Sequence, residues 1–577
     1  MITMKVHIIS KETIKPSSPT SPHLKTYKLS LLDQLSSRFY ISRVLFYTSN
    51  ASDNTSYKAS HLKKSLSETL ALYYPFTGRL RDGVCIDCND DGVELFEAKI
   101  SCRLSEILKK PTPETLHGLF PSDLLGNNSY KGSLVVIQIN YFDCGGMAVS
   151  VCVSHKVADG CTMSNFISDW AAMARQDGVP SHPMFIAATS RSPLDNPFDM
   201  PEIELKKQSC ITRRFVFDSP KIAKLKSMAA DPRAQNPTRV EVVTALLFKS
   251  AMASMSRKNP SLLIQTMNMR PKMSPPLPPN SAGNFCWHFT LSLNGDQRDT
   301  KLHELVTQMR KCMTQFHDKK VRNFTVNEWF VTVRESLKEA KAFSNSMCRF
   351  PFYKVDFGWG KPVWVAIAGN VFKNTFVLMD SPCSDGIEAW VTLDEQDMEV
   401  FGNDEGILRF SSLNPSVLDT DREDYKIPDD VHLSLAELDT MPWEKSGFVP
   451  FTVISIVEAG LRFPVQPLIC EFLRQTRLCP TQLSTNTYRI INGIAELNRR
   501  LGFNLGLVEL FHLYSLGHND DDREAQIPGY NINWNKGTAD LNQLKSQYPY
   551  ANQDTFRATL RYRHRALSPC ILTELAL

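Results

Sequence analysis

The sequence predicts an α/β protein built on mixed sheets, and three observations carry that expectation. Segments rich in branched residues alternate with segments of helical period, turn signals separate them, and the composition is that of an ordinary globular chain: 42% hydrophobic and 22% charged over 577 residues. At roughly 100 to 200 residues per domain, three or more units fit in this length.

The elements follow in order. Leu62, Leu66, Leu70 and Tyr73 recur at helical spacing, and Pro75 stops that helix. Short strands are expected next, punctuated by Gly83 and Gly92. Leu134 to Phe142 and Met147 to Ser154 read as two paired strands divided by Gly145-Gly146. Side chains alternate along a strand, so Val149, Val151, Val153 and His155 share one face, and an apolar strand ends in a histidine. Beyond Gly160 the spacing of Met163, Phe166, Ile167 and Trp170 is helical, which places His155 on a strand-to-helix turn.

From Gly178 to Pro201 the chain is rich in Pro, Ser and Asn, as a long connection is, and a second domain is expected from near Cys210. In it, Val243, Leu246 and Leu247, then Leu302, Leu305, Val306 and Met309, predict helices; Val363 to Ile367 and Phe376 to Met379 predict strands. The acidic stretch Asp419 to Asp430 reads as a linker. The expected division is therefore 1–177, a connection over 178–205, 206–418, and a mostly helical extension over 419–577, where Leu501 to Leu516 suggests an apolar helix.

A formal charge of +4 is too mild for a nucleic-acid footprint. Met1 to Pro16 lacks the apolar core of a signal peptide, and no run of roughly 18 apolar residues marks a spanning helix, so the expected address is the cytosol, with no membrane partner. Fourteen scattered cysteines read as reduced thiols; Cys85 and Cys88 form the only C-x-x-C, and no second pair completes a metal site. The G-x-S-x-G, P-loop, H-E-x-x-H and G-x-G-x-x-G signatures are absent.

The segment His155-Lys156-Val157-Ala158-Asp159-Gly160 sets a histidine and an aspartate four apart, closed by a glycine, at the end of a core strand. Spacing alone says little: His518 and Asp522 repeat it in a polar run where neither strand nor pocket is indicated. From context, His155 is either a general base or a hydrogen-bonded core histidine, and both readings stand.

Further segments bear on the choice. Tyr74-Pro75-Phe76-Thr77-Gly78-Arg79, His155 to Gly160, Asn268-Met269-Arg270, Asn280 to Asn284, Asp356-Phe357-Gly358-Trp359-Gly360 and Asp385 to Val391 together resemble the BAHD acyltransferases, in order, over about Met4 to Leu418. The segment Cys348 to Tyr353 resembles the vinorine synthase-like branch, which acetylates alkaloids and terpenoids, although Met347 stands where relatives often have tryptophan.

The resemblance implies two chloramphenicol-acetyltransferase-like domains with a solvent channel between them, and a strand at Gly406 to Phe410 near the end of the family's part. His155 would be the base at mid-channel, acyl-CoA (acetyl-CoA above all) would enter as co-substrate from one mouth, and an alcohol or amine of a specialised metabolite from the other. No permanently bound cofactor or metal is implied, and a monomer suffices. Asp356 has a catalytic part in some relatives, although its two glycines suggest a tight loop. Asp159 would pair with Arg270 and hold the site's shape, as would Gly160, Gly358 and Trp359. Thr238 and Arg239 at a helix start, with Ser381 and Asp385 in a loop, are the expected coenzyme contacts. Residues 462–490 of the extension resemble the gag-like domain of plant retrotransposons. A binding protein on the same scaffold and an acyl-CoA hydrolase are the competing functions.

Overall fold

In the computed structural model, the described residues are 4–36, 38–48, 55–121, 124, 132–176, 180–190, 210–254, 261–293, 300–320, 340–368, 373–382 and 385–413, and, further on, 467–476, 487, 491–492, 494–495, 498, 506–507, 510, 514–518 and 530–534. Residues 1–420 form one compact unit and 421–577 another.

Two mixed sheets organise the first unit. One has six strands in the order Val6–Ile14, Val93–Ile100, Val135–Phe142, Met147–Ser154, Tyr40–Tyr47 and Trp364–Ala366. The second and third run parallel, whereas Met147–Ser154 pairs antiparallel on both sides. All eight residues of Met147–Ser154 are buried, as expected of a central strand covered on both faces. Helices Thr55–Leu72 and Gly160–Arg175 pack on this sheet's side of the unit, with Leu62, Leu66, Phe166 and Trp170 fully buried.

The other sheet has seven strands, in the order Cys286–Leu293, Ser261–Asn268, Ala340–Ser346, Thr375–Asp380, Ile387–Asp394, Cys210–Phe217 and Ser412–Leu413. Alternation assigns its faces: Phe289, Leu291, Ala389, Val391, Phe215 and Phe217 join helices Ser219–Ala229, Arg239–Ser254 and Leu302–Lys320 in one apolar core. Residues Trp364–Ala366 come from the second half of the unit yet pair with Tyr40–Tyr47 in the first sheet.

Several expectations need correcting. Gly406 to Phe410 is helical, within Glu405–Phe410, not a strand: the Asp404 carboxylate caps the backbone N–H of Ile407 at 3.1 Å, and Ile407 and Phe410, three apart, enter the core together. In the second unit, Pro467–Thr476 is helical, but Tyr514–His518 and Tyr530–Trp534 form an antiparallel pair. The expected apolar helix therefore does not reach Leu516, and His518 ends a strand where none was expected. Asp522 and the linker 419–430 lie outside the described residues, as does most of the 178–205 connection.

Candidate active site

His155 directly follows the Met147–Ser154 strand and precedes a turn into Gly160–Arg175. Its backbone N–H donates to the Phe39 carbonyl at 2.9 Å, and its ring meets the Phe39 ring edge-on at 5.1 Å. The residue keeps partial exposure, while Nδ1 is buried without a hydrogen-bond partner among the described residues. Burial lowers the imidazole's proton affinity below its ordinary value, opposed by the charge of Asp159, by its own carbonyl and by the Asn284 side chain. Such a histidine is neutral at neutral pH.

Asp159 is the N-cap of the helix: its Oδ1 accepts from Thr162 N at 2.9 Å. The Arg270 guanidinium grips both oxygens, Nη1 to Oδ2 at 2.7 Å and Nη2 to Oδ1 at 3.1 Å, and Phe285 N donates to Oδ2 at 2.9 Å. Burial alone would raise this carboxyl's pKa, but Arg270 and the two backbone donors hold it below the ordinary value. Its acceptor capacity is taken, and no hydrogen bond joins it to His155 among the described residues. Arg270 also donates to the carbonyls of Ser281 and Gly283 and to the Thr162 hydroxyl, and lies over the Phe285 ring at 4.8 Å. The pair thus ties the histidine turn to the Arg270–Phe285 segment, and it reaches His155 through charge alone.

Gly160 opens the helix under Met347. A Cβ there would come within 2.6 Å of Met347 Sδ and 3.2 Å of Phe350 Cε2, so the position departing from tryptophan is in contact with the histidine turn. Met347 N in turn donates to the Leu378 carbonyl at 2.7 Å.

The structure brings in three residues that had no role in the reading of the sequence. Asn284 Nδ2 donates to the His155 carbonyl at 2.7 Å and to Asp33 Oδ1 at 2.8 Å. Lys156 Nζ donates to the Gln34 carbonyl at 2.7 Å, and burial pushes its pKa down to about 8. The signal for Asp33 was the pattern Ser30-Leu31-Leu32-Asp33, legible as a capping box, which it is. Nothing local points from that box to His155.

Asp356 is held inside its own loop. Its Oδ1 accepts from Gly358 N at 2.8 Å and Gly360 N at 2.9 Å, and its carbonyl accepts from the Arg175 guanidinium. Phe357 packs between Tyr47 and Trp170, with ring centroids 5.9 and 4.9 Å away, while Trp359 faces His61 and the Lys58 ammonium. These contacts anchor the loop to the first sheet's strands and helices, and none involves His155.

Of the expected coenzyme contacts, Arg239 reaches the Ser381 to Gly386 loop, with Nη1 on the Gly386 carbonyl at 3.2 Å and Nη2 on Asp380 Oδ1 at 2.5 Å. Ser381 Oγ is buried without a partner among the described residues, and Asp385 is exposed in the same loop. Thr238 is exposed and forms reciprocal hydrogen bonds with Glu241 at the helix start.

The site thus sets a partly buried imidazole at a strand-to-helix corner of an α/β unit, with no second nucleophile bonded to it among the described residues. The family model described as "Transferase family" matches residues 4–407, and the chain belongs to that family, the BAHD acyltransferases. By class it is an acyl-CoA-dependent O-acyltransferase. Similar curated proteins include akuammiline synthase 1 of Alstonia scholaris, 43% identical over 70% of this chain and 97% of its own length. Another is 17,18-epoxy-17-hydroxycur-19-ene N-malonyltransferase of Strychnos nux-vomica, 39% identical over 72% of this chain and 92% of its length. Among solved structures, vinorine synthase aligns with a TM-score of 0.62 at 31% identity, covering 69% of this chain and 96% of that one. None of the described helices is long and apolar enough to cross a membrane.

Proposed function

We propose that this protein transfers an acyl group, acetyl by preference, from acyl-CoA to a hydroxyl of an alkaloid or terpenoid-like metabolite, with His155 as general base. The observation that carries the reading is the His155 ring, whose Nδ1 is buried while the residue keeps partial exposure, and whose proton affinity is lowered by burial. An alcohol is a poor nucleophile at neutral pH unless its proton leaves as the new bond forms. Nε2 accepts that proton, the hydroxyl oxygen bonds to the thioester carbonyl carbon, and the C–S bond breaks when the tetrahedral adduct collapses. The proton then passes to the departing thiolate, so the ester and free coenzyme A account for every atom.

Both substrates meet in one ternary complex within a channel, which turns a two-body encounter into a local one and excludes water. Arg239 with the Ser381 and Asp385 loop is the proposed coenzyme rim. Asp159 and Arg270 keep the turn in shape, and Asp356 closes its own loop. We place the enzyme in the cytosol as a monomer. Residues 421–577, which follow the family match, we read as a gag-like fusion with no part in the chemistry.

The test is thiol release from acetyl-CoA and malonyl-CoA by the purified chain, with and without a pool of alcohols and amines, for wild type and His155→Ala. The expected result is acceptor-dependent release, fastest with acetyl-CoA and alcohols, reduced roughly 10²- to 10⁴-fold or more in the variant. The acid limb of its pH profile should fall below the ordinary imidazole value. Release that needs no acceptor assigns hydrolysis instead; release untouched by the substitution removes His155 from the mechanism.

A further inference from the structure

Asp33 has no surface exposure, yet it carries a carboxylate into the neighbourhood of His155. Its Oδ2 accepts from Ser30 N at 2.9 Å and Ser30 Oγ at 2.6 Å, and its Oδ1 accepts from Asn284 N at 2.7 Å and Asn284 Nδ2 at 2.8 Å. Burial raises its pKa while these four hydrogen bonds oppose the rise. Four donors suit an ionised carboxylate, which can only accept.

That restriction orients Asn284. An amide can face a carboxylate only through its NH2 end, and the second amide hydrogen goes to the His155 carbonyl at 2.7 Å. With both hydrogens committed to acceptors, Oδ1 is turned the other way, where it is buried without a hydrogen-bond partner among the described residues. His155 Nδ1 is buried in the same condition. One atom can donate and the other can only accept, on residues already joined through the His155 carbonyl. Buried polar atoms left unpaired are costly, so a hydrogen bond between these two is favoured.

We propose that Asp33 is a positioning residue for the reaction, acting through Asn284 to fix the His155 ring with its proton on Nδ1 and its lone pair on Nε2. The proposal rests on the reading of His155 as base. Asp33 touches no reacting atom. Its charge dictates which end of Asn284 faces the ring, and hence which ring nitrogen is free. With Asp33→Asn the pocket offers a donor as well as acceptors, so Asn284 is free to turn its NH2 toward Nδ1. That selects the opposite tautomer, in which Nε2 carries the hydrogen and cannot take one from a hydroxyl.

The first measurement uses the wild-type full chain labelled with ring-¹⁵N histidine, the His155 signals being assigned by their absence from His155→Ala. The expected result is the Nδ1–H tautomer; an Nε2–H ring in the wild type overturns the proposal whether or not any Asp33 variant folds. The second is the rate at which diethyl pyrocarbonate modifies each histidine, read by peptide mass spectrometry. Asp33→Asn and Asn284→Ala should each slow modification of His155 by roughly 10- to 100-fold, with His61 unchanged. The double variant should be no slower than Asn284→Ala alone, because the two act in series. Additive slowing, or normal His155 reactivity in folded Asp33→Asn, overturns the relay. If instead acyl transfer survives in His155→Ala, the base reading fails, and these ring measurements are unaffected by that outcome.

Discussion

Lys156 is carried into the interior by the turn that presents His155. Its ammonium donates to the carbonyls of Gln34 and Asp33 at 2.7 and 3.5 Å, and the Arg38 charge adds to burial in pushing its pKa to about 8, against the pull of Asp33. An unfolded lysine titrates near 10.4, so from about pH 8 to 10.4 the unfolded chain binds more protons than the folded one, and stability rises with pH across that window. The size of this contribution is about 3 kcal/mol, fully present above the unfolded value and lost as pH falls through 8. Denaturant unfolding at pH 7.5, 8.5 and 9.5 should show the rise in wild type and a flatter curve in Lys156→Met; equal slopes would assign it to other groups. Asp159 is the opposite case, a buried charge whose partner is in direct contact. Removing one member of such a pair costs roughly 3 to 5 kcal/mol because the other stays buried and uncompensated. An activity loss on substituting Asp159 therefore does not by itself identify a catalytic carboxylate.

At the scale of elements, the Asp356 loop shows how geometry can separate architecture from chemistry. Gly358 and Gly360 have φ of +110° and +103°, values that residues with a Cβ rarely adopt, and a Cβ built on Gly358 meets nothing within 4 Å. The cost of Gly358→Ala is therefore conformational, about 1 to 3 kcal/mol, with no steric part. We expect that loss in denaturant unfolding, together with acceptor-dependent thiol release per folded molecule within a few-fold of wild type. A loss of activity far beyond the loss of folded protein would place Asp356 in proton transfer. Gly160 differs, because Met347 Sδ lies 2.6 Å from where its Cβ would stand. Here the glycine is required by close approach, and the neighbour's identity decides how much of the turn must move.

The two large sheets of the first unit are knitted together. The Trp364–Ala366 strand leaves the second half of the unit to pair in the first sheet, and Trp364 Nε1 donates to both Glu388 oxygens at 3.1 and 3.2 Å in the second. Arg214 completes the contact with a 2.9 Å ion pair to Glu388, and its guanidinium lies 5.3 Å over the Trp364 ring. All three side chains are buried, so separating the sheets would expose an ion pair and strip a strand from its ladder. A chain of residues 1–420 should accordingly give one calorimetric transition and keep the acceptor-dependent thiol release of the full chain. Two resolved transitions would mean that the sheets unfold independently, and loss of release would give 421–577 a part in catalysis.

The sequence by itself determined what local spacing encodes. Composition and the Gly145-Gly146 break marked the Met147–Ser154 strand, helical period marked Gly160–Arg175, and the turn between them marked His155, because those signals depend on neighbours a few residues away. The strand expected at Gly406 to Phe410 came from the resemblance and not from local spacing, and the Asp404 cap with the shared burial of Ile407 and Phe410 decided for helix. The resemblance supplied Arg270 as partner of Asp159, 111 residues away, but only the fold shows that Asp159's acceptor capacity is spent there. Tertiary structure alone joined Asp33 to Asn284 across 251 residues, and put Trp364 into the far sheet. Those contacts depend on how finished elements pack, and no residue's local pattern carries that information.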